Sequence, residues 1–214
     1  FYPAFPNGND KIEREHCLAF SRKCIFDGRL EAVYKEIVKY NPVWMILQPS
    51  NALLLCELAE QTTVPSSLRY IEMTGEVLTE PVRNKIQSVF QCHLANQYGT
   101  KEVNSIAYEC PEGKLHCLTD NIYLETVGEK EELCVTTLQN RAMPLVRFNL
   151  EDRGKIVSGQ SCPCGCSGDI LELSAGRAND WIIRSDGSKR HPYLLMQLID
   201  NLNEEMDGMI LQYQ

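Results

Sequence analysis

The sequence predicts an α/β fold in which a parallel sheet flanked by helices is followed by a small antiparallel, barrel-like β region and the start of an α+β C-terminal domain. Two observations carry this prediction. Up to about residue 97, strand-like and helix-like patterns alternate, which favours parallel strands with helices on the faces of the sheet. From Ile106 onward, short segments rich in β-branched residues are separated by turns, which is typical of a small antiparallel barrel or a curled sheet.

The first predicted elements are a helix, a strand and a second helix. Apolar residues recur at helical spacing over residues 29–41, and Asn41-Pro42 ends that helix. Val43–Leu47 is predicted to be a short buried strand. Ser50 is predicted to cap a second helix that runs to about Gln61.

The alternation then continues through one more helix. Leu68–Met73 is predicted to be a strand, and Thr79 opens a third helix with Pro81 near its first turn. His93–Gln97 is the next predicted strand and leads into a Tyr-Gly turn. Because ligands of parallel sheets bind beyond the carboxyl ends of the strands, the residues after Met73 and Gln97 are candidates for a binding site.

The antiparallel region is predicted from five short segments: Ile122–Thr126, Glu132–Thr137, Leu145–Phe148, Gly154–Val157 and Ile170–Leu173. After them we expect a hairpin around Asp186-Gly187, a helix near Tyr193–Leu202 and a strand over Met209–Tyr213. The predicted organisation is an α/β subdomain (1–108), a zinc-containing β subdomain (109–178) and the start of a mobile C-terminal domain (179–214).

Composition and charge exclude some functions. The 214 residues are 43% hydrophobic and 23% charged, with a formal net charge of −8. This acidic balance argues against binding to nucleic acid or to an anionic membrane surface, since both attract basic patches. No apolar run in the sequence approaches the ~20 residues of a membrane span, and Phe1-Tyr2-Pro3 does not resemble the start of a signal peptide.

The ten cysteines fall into two groups. Six mostly lie in apolar segments, where buried thiols are common: Cys17, Cys24, Cys56, Cys92, Cys117 and Cys134. The other four lie near turns, where metal binding is the better interpretation for a cytosolic protein: Cys110, Cys162, Cys164 and Cys166. We therefore expect a cytoplasmic protein.

The clearest functional signal is a series of four short segments in a fixed order: Thr74–Leu78, Asn96–Glu102, Pro144–Asp152 and Gly176–Asp180. Together they resemble the nucleotide-binding half of adenylate-forming enzymes, and within these the phenylacetate–coenzyme A ligase and CapK-like branch. The resemblance runs from about Pro42 to the end of the chain. It implies that ATP and a carboxylic acid give acyl-AMP and pyrophosphate, and that the acyl group then passes to a thiol, coenzyme A above all.

The resemblance assigns adenine recognition to the first two segments. Tyr98 would stack on the adenine ring, and Asn96 would meet its amino group. Gly75 would allow the backbone to approach the ring closely, with Glu76 beside it. Taken singly, Tyr98 could instead be a core aromatic residue.

The sugar and the phosphates are assigned in the same way. Asp152 would accept both ribose hydroxyls, and Arg177 would approach the sugar or the phosphate. Glu102 would hold Mg²⁺, which neutralises the phosphates during attack by the carboxylate, beside the turn at Gly99 and Thr100. The plainer alternatives are a turn aspartate at Asp152 and a helix-start carboxylate at Glu102.

Asp180 falls where members of the family pivot between adenylation and thiol transfer. An exposed linker aspartate is the alternative. With coenzyme A as acceptor, the partners implied are the carboxylic acid, of the aryl-acetate type, and coenzyme A, while a homodimer is left open.

The chain departs from the family pattern at two positions. Lys101 stands where a hydroxyl residue belongs, although Thr100 is adjacent, and Glu151 replaces the glycine before the ribose-binding aspartate. The phosphate loop and the late catalytic lysine are not found in the sequence, so the resemblance implies a fragment, inactive by itself. The rival hypotheses are a CapK-like adenylating protein in polysaccharide or cofactor biosynthesis and a non-catalytic, zinc-stabilised module.

A structural zinc site is predicted from two turns. Cys110 and His116 form one pair of soft ligands, and Cys162 and Cys164 form the other within a Cys-Pro-Cys-Gly turn. Four ligands would close the coordination shell, which favours a structural role, and the resembling branch often carries a similar arrangement. Cys117 or Cys166 could replace a neighbour in the set, and reduced surface thiols without metal are the alternative.

Overall fold

The computed structural model describes residues 9–21, 23–177, 182–183 and 189–190. The chain divides into two compact units, Phe1–Leu94 and Ala95–Gln214. In chain order the elements are β1 (Lys11–Arg14), β2 (Cys17–Phe20), α1 (Lys23–Phe26), α2 (Leu30–Tyr40), β3 (Trp44–Leu47), α3 (Pro49–Gln61), β4 (Tyr70–Thr74), α4 (Glu80–Phe90), β5 (His93–Thr100), β6 (Asn104–Glu109), β7 (Leu115–Cys117), β8 (Ile122–Val127), β9 (Glu132–Thr137), β10 (Phe148–Val157), β11 (Ile170–Arg177), β12 (Ile182–Ile183) and β13 (Lys189–Arg190).

The first unit has the predicted alternation of strands and helices. β3 and β4 pair in parallel, with Trp44 opposite Tyr70 and Leu47 opposite Met73. The backbone N–H of His93, at the start of β5, donates to the carbonyl oxygen of Arg69 at 3.1 Å. Buried side chains from the helices and strands form one core: Phe20, Cys24, Val33, Tyr34, Ile37, Met45, Leu47, Ala52, Leu55, Cys56, Ala59, Leu68, Ile71, Met73, Ile86, Phe90 and Leu94. The parallel α/β arrangement is thereby confirmed.

Two helix ends follow the sequence signals and one does not. α2 ends at Asn41, whose φ of 53° is left-handed, and α4 begins after Thr79 with a proline in its first turn. The predicted cap of α3 was wrong, because the helix begins at Pro49 and its N-cap is Gln48. Ser50 therefore lies inside the first turn, where its hydroxyl and N–H are available to another side chain.

The second unit is an antiparallel sheet with the strand order β5-β6-β7-β11-β10-β9-β8. The predicted antiparallel region is confirmed, and within the described residues its strands form an open row and not a closed barrel. Apolar residues from most of these strands share one core: Ile106, Ala107, Cys117, Ile122, Leu124, Leu133, Val135, Leu150 and Leu171.

This row of strands is strongly curled. Neighbouring strands lie about 4.8 Å apart, so β5 and β10, with three strands between them, would be roughly 19 Å apart in a flat sheet. The hydroxyl of Tyr98 in β5 nevertheless lies 2.8 Å from Oδ2 of Asp152 in β10. One tyrosine and one aspartate side chain together cannot span the distance between β5 and β10 in a flat sheet. The curvature of the sheet therefore brings the two strands toward each other.

Several predicted boundaries differ from the structure. The predicted strand Leu145–Phe148 was wrong, since β10 runs from Phe148 to Val157 and includes the segment predicted separately at Gly154–Val157. β12 and β13 pair antiparallel, in agreement with the hairpin predicted between them. The helix predicted near 193–202 and the strand predicted at 209–213 lie outside the described residues, and the domain boundaries at 108 and 178 stay predictions.

Two further observations concern burial and hydropathy. Of the six cysteines predicted to be mostly buried thiols, Cys24, Cys56, Cys117 and Cys134 are buried, Cys92 is half-buried and Cys17 is exposed. Among the helices that the structure describes, none combines the length and the apolar character needed to cross a bilayer.

Candidate nucleotide and metal sites

The Gly75-Glu76 segment directly follows β4 in the first unit. Gly75 has a φ of 81°, and a Cβ atom built there would lie 3.2 Å from Nε2 of Gln48. Glycine is therefore favoured by its backbone conformation and by the close approach of Gln48. The loop can pass near a flat ligand without a side chain in the way.

Glu76 is bound to the beginning of α3. Its Oε2 accepts the backbone N–H of Ser50 at 2.9 Å, and its Oε1 accepts the Ser50 hydroxyl, also at 2.9 Å. A carboxylate in this position satisfies an otherwise unpaired helix N–H and interacts favourably with the helix dipole. Ser50, predicted as a cap, is thus the residue that anchors Glu76, and nothing in the sequence links these positions.

Asn96 is held in place by a residue that the sequence analysis missed. The backbone N–H of Asn96 donates to Oε2 of Glu109 at 2.6 Å. Glu109 is the last residue of β6, which pairs with β5, and it directly precedes Cys110. The β5–β6 register begins at Gln97 and Tyr108, so the Glu109 carboxylate binds β5 just beyond it, next to the predicted adenine contact.

The turn after Tyr98 requires glycine. The β5–β6 register shifts between Tyr98 and Gly99, and a Cβ atom on Gly99 would lie 1.9 Å from the carbonyl oxygen of Asn104. The N–H of Val103 donates to Oγ1 of Thr100 at 3.4 Å, which helps to close the turn. Lys101 and Glu102 are exposed in the same turn.

The structure brings Tyr98 and Asp152, both predicted nucleotide residues, into direct contact. The Tyr98 hydroxyl donates to Oδ2 of Asp152 at 2.8 Å, and both side chains are half-buried. Tyr98 also packs against the core of the second unit. The two residues are 54 positions apart in sequence, so the contact depends on the curl of the sheet.

Asp152 lies in an irregular part of β10. The residue before it, Glu151, has a φ of 60°, and its N–H donates to Oδ1 of Asn149 at 2.8 Å. The register shifts between Asn149 and Arg153 on the side of β9, and between Asp152 and Gly154 on the side of β11. Bulges of this kind re-aim side chains, and here the bulge carries Asp152.

The remaining predicted nucleotide residues are at or beyond the end of β11. Arg177 is the last residue of β11 and pairs with Asp152 in the backbone register. Asp180, the predicted hinge, lies outside the described residues.

The four predicted metal ligands converge in the second unit. One ligand atom from each of Cys110, His116, Cys162 and Cys164 lies within 4.8 Å of the others. The Cys110 and Cys162 sulfur atoms are 3.8 Å apart, and the Cys164 sulfur lies 3.4 Å from Nε2 of His116. Three sulfur atoms and one imidazole nitrogen are a donor set typical of tetrahedral Zn²⁺.

Tight turns place the cysteines. The N–H of Gly113 donates to the carbonyl oxygen of Cys110 at 2.9 Å, and the N–H of Gly165 donates to that of Cys162 at 3.0 Å. Both glycines have positive φ, 71° and 84°, which glycine adopts without strain. The two turns have related geometry although one contributes a single ligand and the other contributes two.

His116 is buried and its ring orientation is fixed. Nδ1 lies 3.2 Å from the carbonyl oxygen of Gly168, which accepts a hydrogen bond from the Nδ1-protonated tautomer. Nε2 then faces the Cys164 sulfur as a lone-pair donor. A histidine oriented through its second nitrogen is typical of metal centres.

The thiol pKa values reflect the crowding of sulfur atoms. Burial raises the pKa of Cys110, but hydrogen bonds with the backbone of Lys114 and Glu112 and with the Cys164 and Cys162 thiols together bring the pKa down to about 7. For Cys164 the backbone hydrogen bond from Cys166 lowers the pKa, yet burial and the neighbouring Cys162 and Cys110 together raise it to about 11. The thiolate form is thus favoured at Cys110 and opposed at Cys164. A bound cation would favour the thiolate form of both.

Comparison with solved structures identifies the class of fold. The structure superimposes on 2-hydroxyisobutyryl-CoA ligase in complex with 2-HIB-AMP with a TM-score of 0.69 and 18% identity, covering 81% of this chain and 40% of that one. The anthranilate CoA ligase AuaEII gives 0.56 with 14% identity, covering 79% and 36%. O-succinylbenzoate coenzyme A synthetase from Bacillus subtilis gives 0.54 with 16% identity, covering 79% and 40%. The fold is that of adenylate-forming acyl-CoA ligases.

A sequence relative narrows this class. The chain is 25% identical to phenylacetate-coenzyme A ligase from Pseudomonas putida over 173 residues, which are 73% of this chain and 38% of the relative. No protein-family model matches the chain. The resemblance to AMP-forming acyl-CoA ligases is thereby confirmed, for a chain that spans well under half the length of these relatives.

Proposed function

We propose that the protein to which this chain belongs activates a carboxylic acid with ATP, releasing pyrophosphate, and transfers the acyl group from AMP to coenzyme A. The observation that carries this proposal is the Tyr98–Asp152 contact of 2.8 Å. It places a flat aromatic ring next to an acceptor for paired hydroxyl groups, as recognition of a nucleoside requires. The sequence and fold relatives supply the reaction class.

In this proposal each residue has its own part in nucleotide recognition. Tyr98 stacks on adenine, Asn96 meets its amino group and Asp152 accepts the ribose hydroxyls. Gly75 lets the backbone approach the base. Glu76 lies beside Gly75, and its two hydrogen bonds with Ser50 fix the Gly75 loop.

The phosphates are served by the turn after Gly99. Glu102 is exposed there and would hold Mg²⁺, which supplies charge neutralisation on the phosphate oxygens when bound. Thr100 would provide the hydroxyl that the family has at Lys101, and Arg177, in register with Asp152, would approach the sugar or the phosphate.

The acyl substrate is proposed to be an aryl-acetate-type acid, and the acceptor to be coenzyme A. Support comes from the named activity of the bacterial relative that is 25% identical to the chain. The structural neighbour 2-hydroxyisobutyryl-CoA ligase has been solved with both an acyl-AMP and CoA. A cytoplasmic location belongs to the same proposal, because thiols that bind metal must stay reduced.

Carboxylate-dependent release of pyrophosphate by the protein at its natural length tests this function. We expect turnover with ATP, Mg²⁺ and phenylacetate, and a thioester when coenzyme A is added. A panel of aliphatic and aromatic acids then sets the preference. Failure of every acid to release pyrophosphate would reject the ligase function.

We also propose one structural Zn²⁺ per chain at Cys110, His116, Cys162 and Cys164. The fit rests on the convergence of the four ligand atoms and on the Nδ1 contact that orients His116. Four protein ligands leave no open position, so the metal would link the turns around β7 and β11 and take no part in the reaction.

A second candidate is a non-catalytic module that keeps the fold. It is favoured by Lys101 and by Glu151, which occupy the positions of a hydroxyl residue and a glycine in the resembling family. The pyrophosphate assay separates the two functions, since a module would bind AMP and release nothing.

Asp180 is proposed as the pivot between the two half-reactions. Asp180→Pro fixes φ and should spare acyl-AMP formation while impairing thioester formation. Pyrophosphate release and thioester formation, measured separately on the protein at its natural length, check this expectation. Equal loss of both, or loss of neither, contradicts it.

A further inference from the structure

We propose that the Tyr98 hydroxyl is a positioning group for Asp152 and that it thereby sets the preference for ribose over 2′-deoxyribose. This inference rests on the proposed nucleotide site and deepens it. Its starting observation is the hydrogen bond of 2.8 Å from the Tyr98 hydroxyl to Oδ2 of Asp152, made across the curl of the second unit.

Asp152 stands where the backbone gives its side chain little guidance. The strand registers shift on both sides of it, and Glu151 next to it is in the left-handed region. A side chain on a bulge can take several directions, each with its own rotamer. The bond from Tyr98 selects one of them.

The hydrogen bond from Tyr98 is compatible with ligand binding by the same carboxylate. An ionised carboxylate offers about four acceptor sites on two oxygens, so it can accept hydrogen bonds from several donors at once. A ribose presents two adjacent hydroxyl donors. Their recognition depends on the orientation of the whole carboxylate, because hydrogen bonds weaken steeply away from linear geometry.

The same side chain would therefore act on two parts of the nucleotide. The ring of Tyr98 would stack on the base, while its hydroxyl holds the acceptor for the sugar. Replacement by phenylalanine removes the second action and leaves an aromatic ring for the first. The Tyr98→Phe substitution, which removes one oxygen atom, therefore tests sugar discrimination while base stacking is kept.

The test compares AMP and 2′-deoxy-AMP binding in the wild type and in Tyr98→Phe, by calorimetry on the protein at its natural length. The wild type should bind AMP more tightly than 2′-deoxy-AMP. In Tyr98→Phe, this preference should fall by about fivefold to tenfold, the scale of one typical net hydrogen bond. Tyr123→Phe is the matched control, because Tyr123 is 59% exposed on β8 and its loss of a hydroxyl should leave the preference unchanged.

The outcomes are distinct. A Tyr98→Phe variant that loses affinity for both nucleotides by the same factor has lost structure and not discrimination, and this overturns the proposal. An unchanged preference overturns it as well, and so does a wild type that does not bind AMP. AMP binding without pyrophosphate release rejects the ligase function alone, and the sugar preference then still decides the role of Tyr98.

Discussion

Both candidate sites in the second unit lie next to backbone with positive φ, but different residue types adopt it. In the metal cluster, defined by Cys110, His116, Cys162 and Cys164, the turns contain Gly113 and Gly165 at positive φ. In the nucleotide pair, defined by Tyr98 and Asp152, the residue at positive φ is Glu151. Glycine adopts this conformation freely, whereas a side-chain-bearing residue there costs on the order of 1–3 kcal/mol.

The difference shows which site the local sequence specifies. At the metal cluster, residue types, turn geometry and ligand spacing all favour one arrangement. At the nucleotide pair, the bulge is compensated by the Asn149 side chain and by the Tyr98 hydroxyl. Local strain at a place that positions a functional side chain is a common feature of binding sites.

The largest expected effect is at the metal cluster. Cys162→Ser should lower zinc content and destabilise the protein by about 4 kcal/mol or more, since loss of a structural metal belongs to the largest class of mutational effects. Elemental analysis of protein purified without chelator measures the metal, and thermal unfolding measures the stability.

Cys166→Ser is the matched control for that variant. Cys166 is exposed, and its contact with the cluster is made by its backbone N–H, which donates to the Cys164 sulfur at 3.4 Å. Zinc content and unfolding temperature should be those of the wild type. Absence of zinc in the wild type would reject the site, and retention of zinc after Cys110→Ser or His116→Ala would mean that the ligand set is wrong.

The next effect is at the nucleotide pair. Asp152→Ala should weaken AMP binding by about 1.5–3 kcal/mol, the range for hydrogen bonds to a charged group. Asp120→Ala, in an exposed turn, should leave AMP binding unchanged. Calorimetry on the protein at its natural length measures the AMP affinity of both variants. An Asp152→Ala variant that binds AMP as tightly as the wild type would contradict the assignment of Asp152 to the ribose.

The smallest expected effect tests whether the positive φ at Glu151 is strained. Glu151→Gly should stabilise the protein by about 0.5–1 kcal/mol, because relief of the left-handed strain exceeds the added entropy of glycine in the unfolded chain. Glu129→Gly, at an exposed turn position, should be neutral or destabilising. Urea unfolding distinguishes these results, and a destabilised Glu151→Gly would show that the bulge is not strained.

The sequence predicted the elements whose signals are local. α2 and β9 carry clear periodicity or end signals and lie within a residue of their predicted bounds, and α4 begins directly after Thr79 as predicted. β7 has only three residues, too few for any periodic pattern. Two separate strands were predicted here from short segments rich in β-branched residues, whereas β10 is one strand with an irregular register next to Glu151.

The candidate sites also differ in how far local sequence signals predict them. Turn residues and close spacing were enough to predict that Cys110, His116, Cys162 and Cys164 come together, although the contact of His116 with Gly168 was not foreseeable. The Tyr98–Asp152 bond joins strands that are not neighbours, and it depends on the curvature of the whole sheet. Glu109 and Ser50 act through side chains far from their partners in sequence, and neither has a motif that would reveal it.

The spacing of two sulfur atoms has a practical consequence for preparing the protein. The Cys110 and Cys162 sulfur atoms lie 3.8 Å apart, whereas a disulfide bond is about 2.05 Å long. A bound cation would occupy the space between them and keep both as ligands. Without the cation, in the presence of a chelator and air, Cys110 and Cys162 could be oxidised to a disulfide. Two of the four proposed ligands would then no longer be able to bind added zinc. Reductant during purification, with chelator left out, is therefore the condition under which the cluster can be assayed.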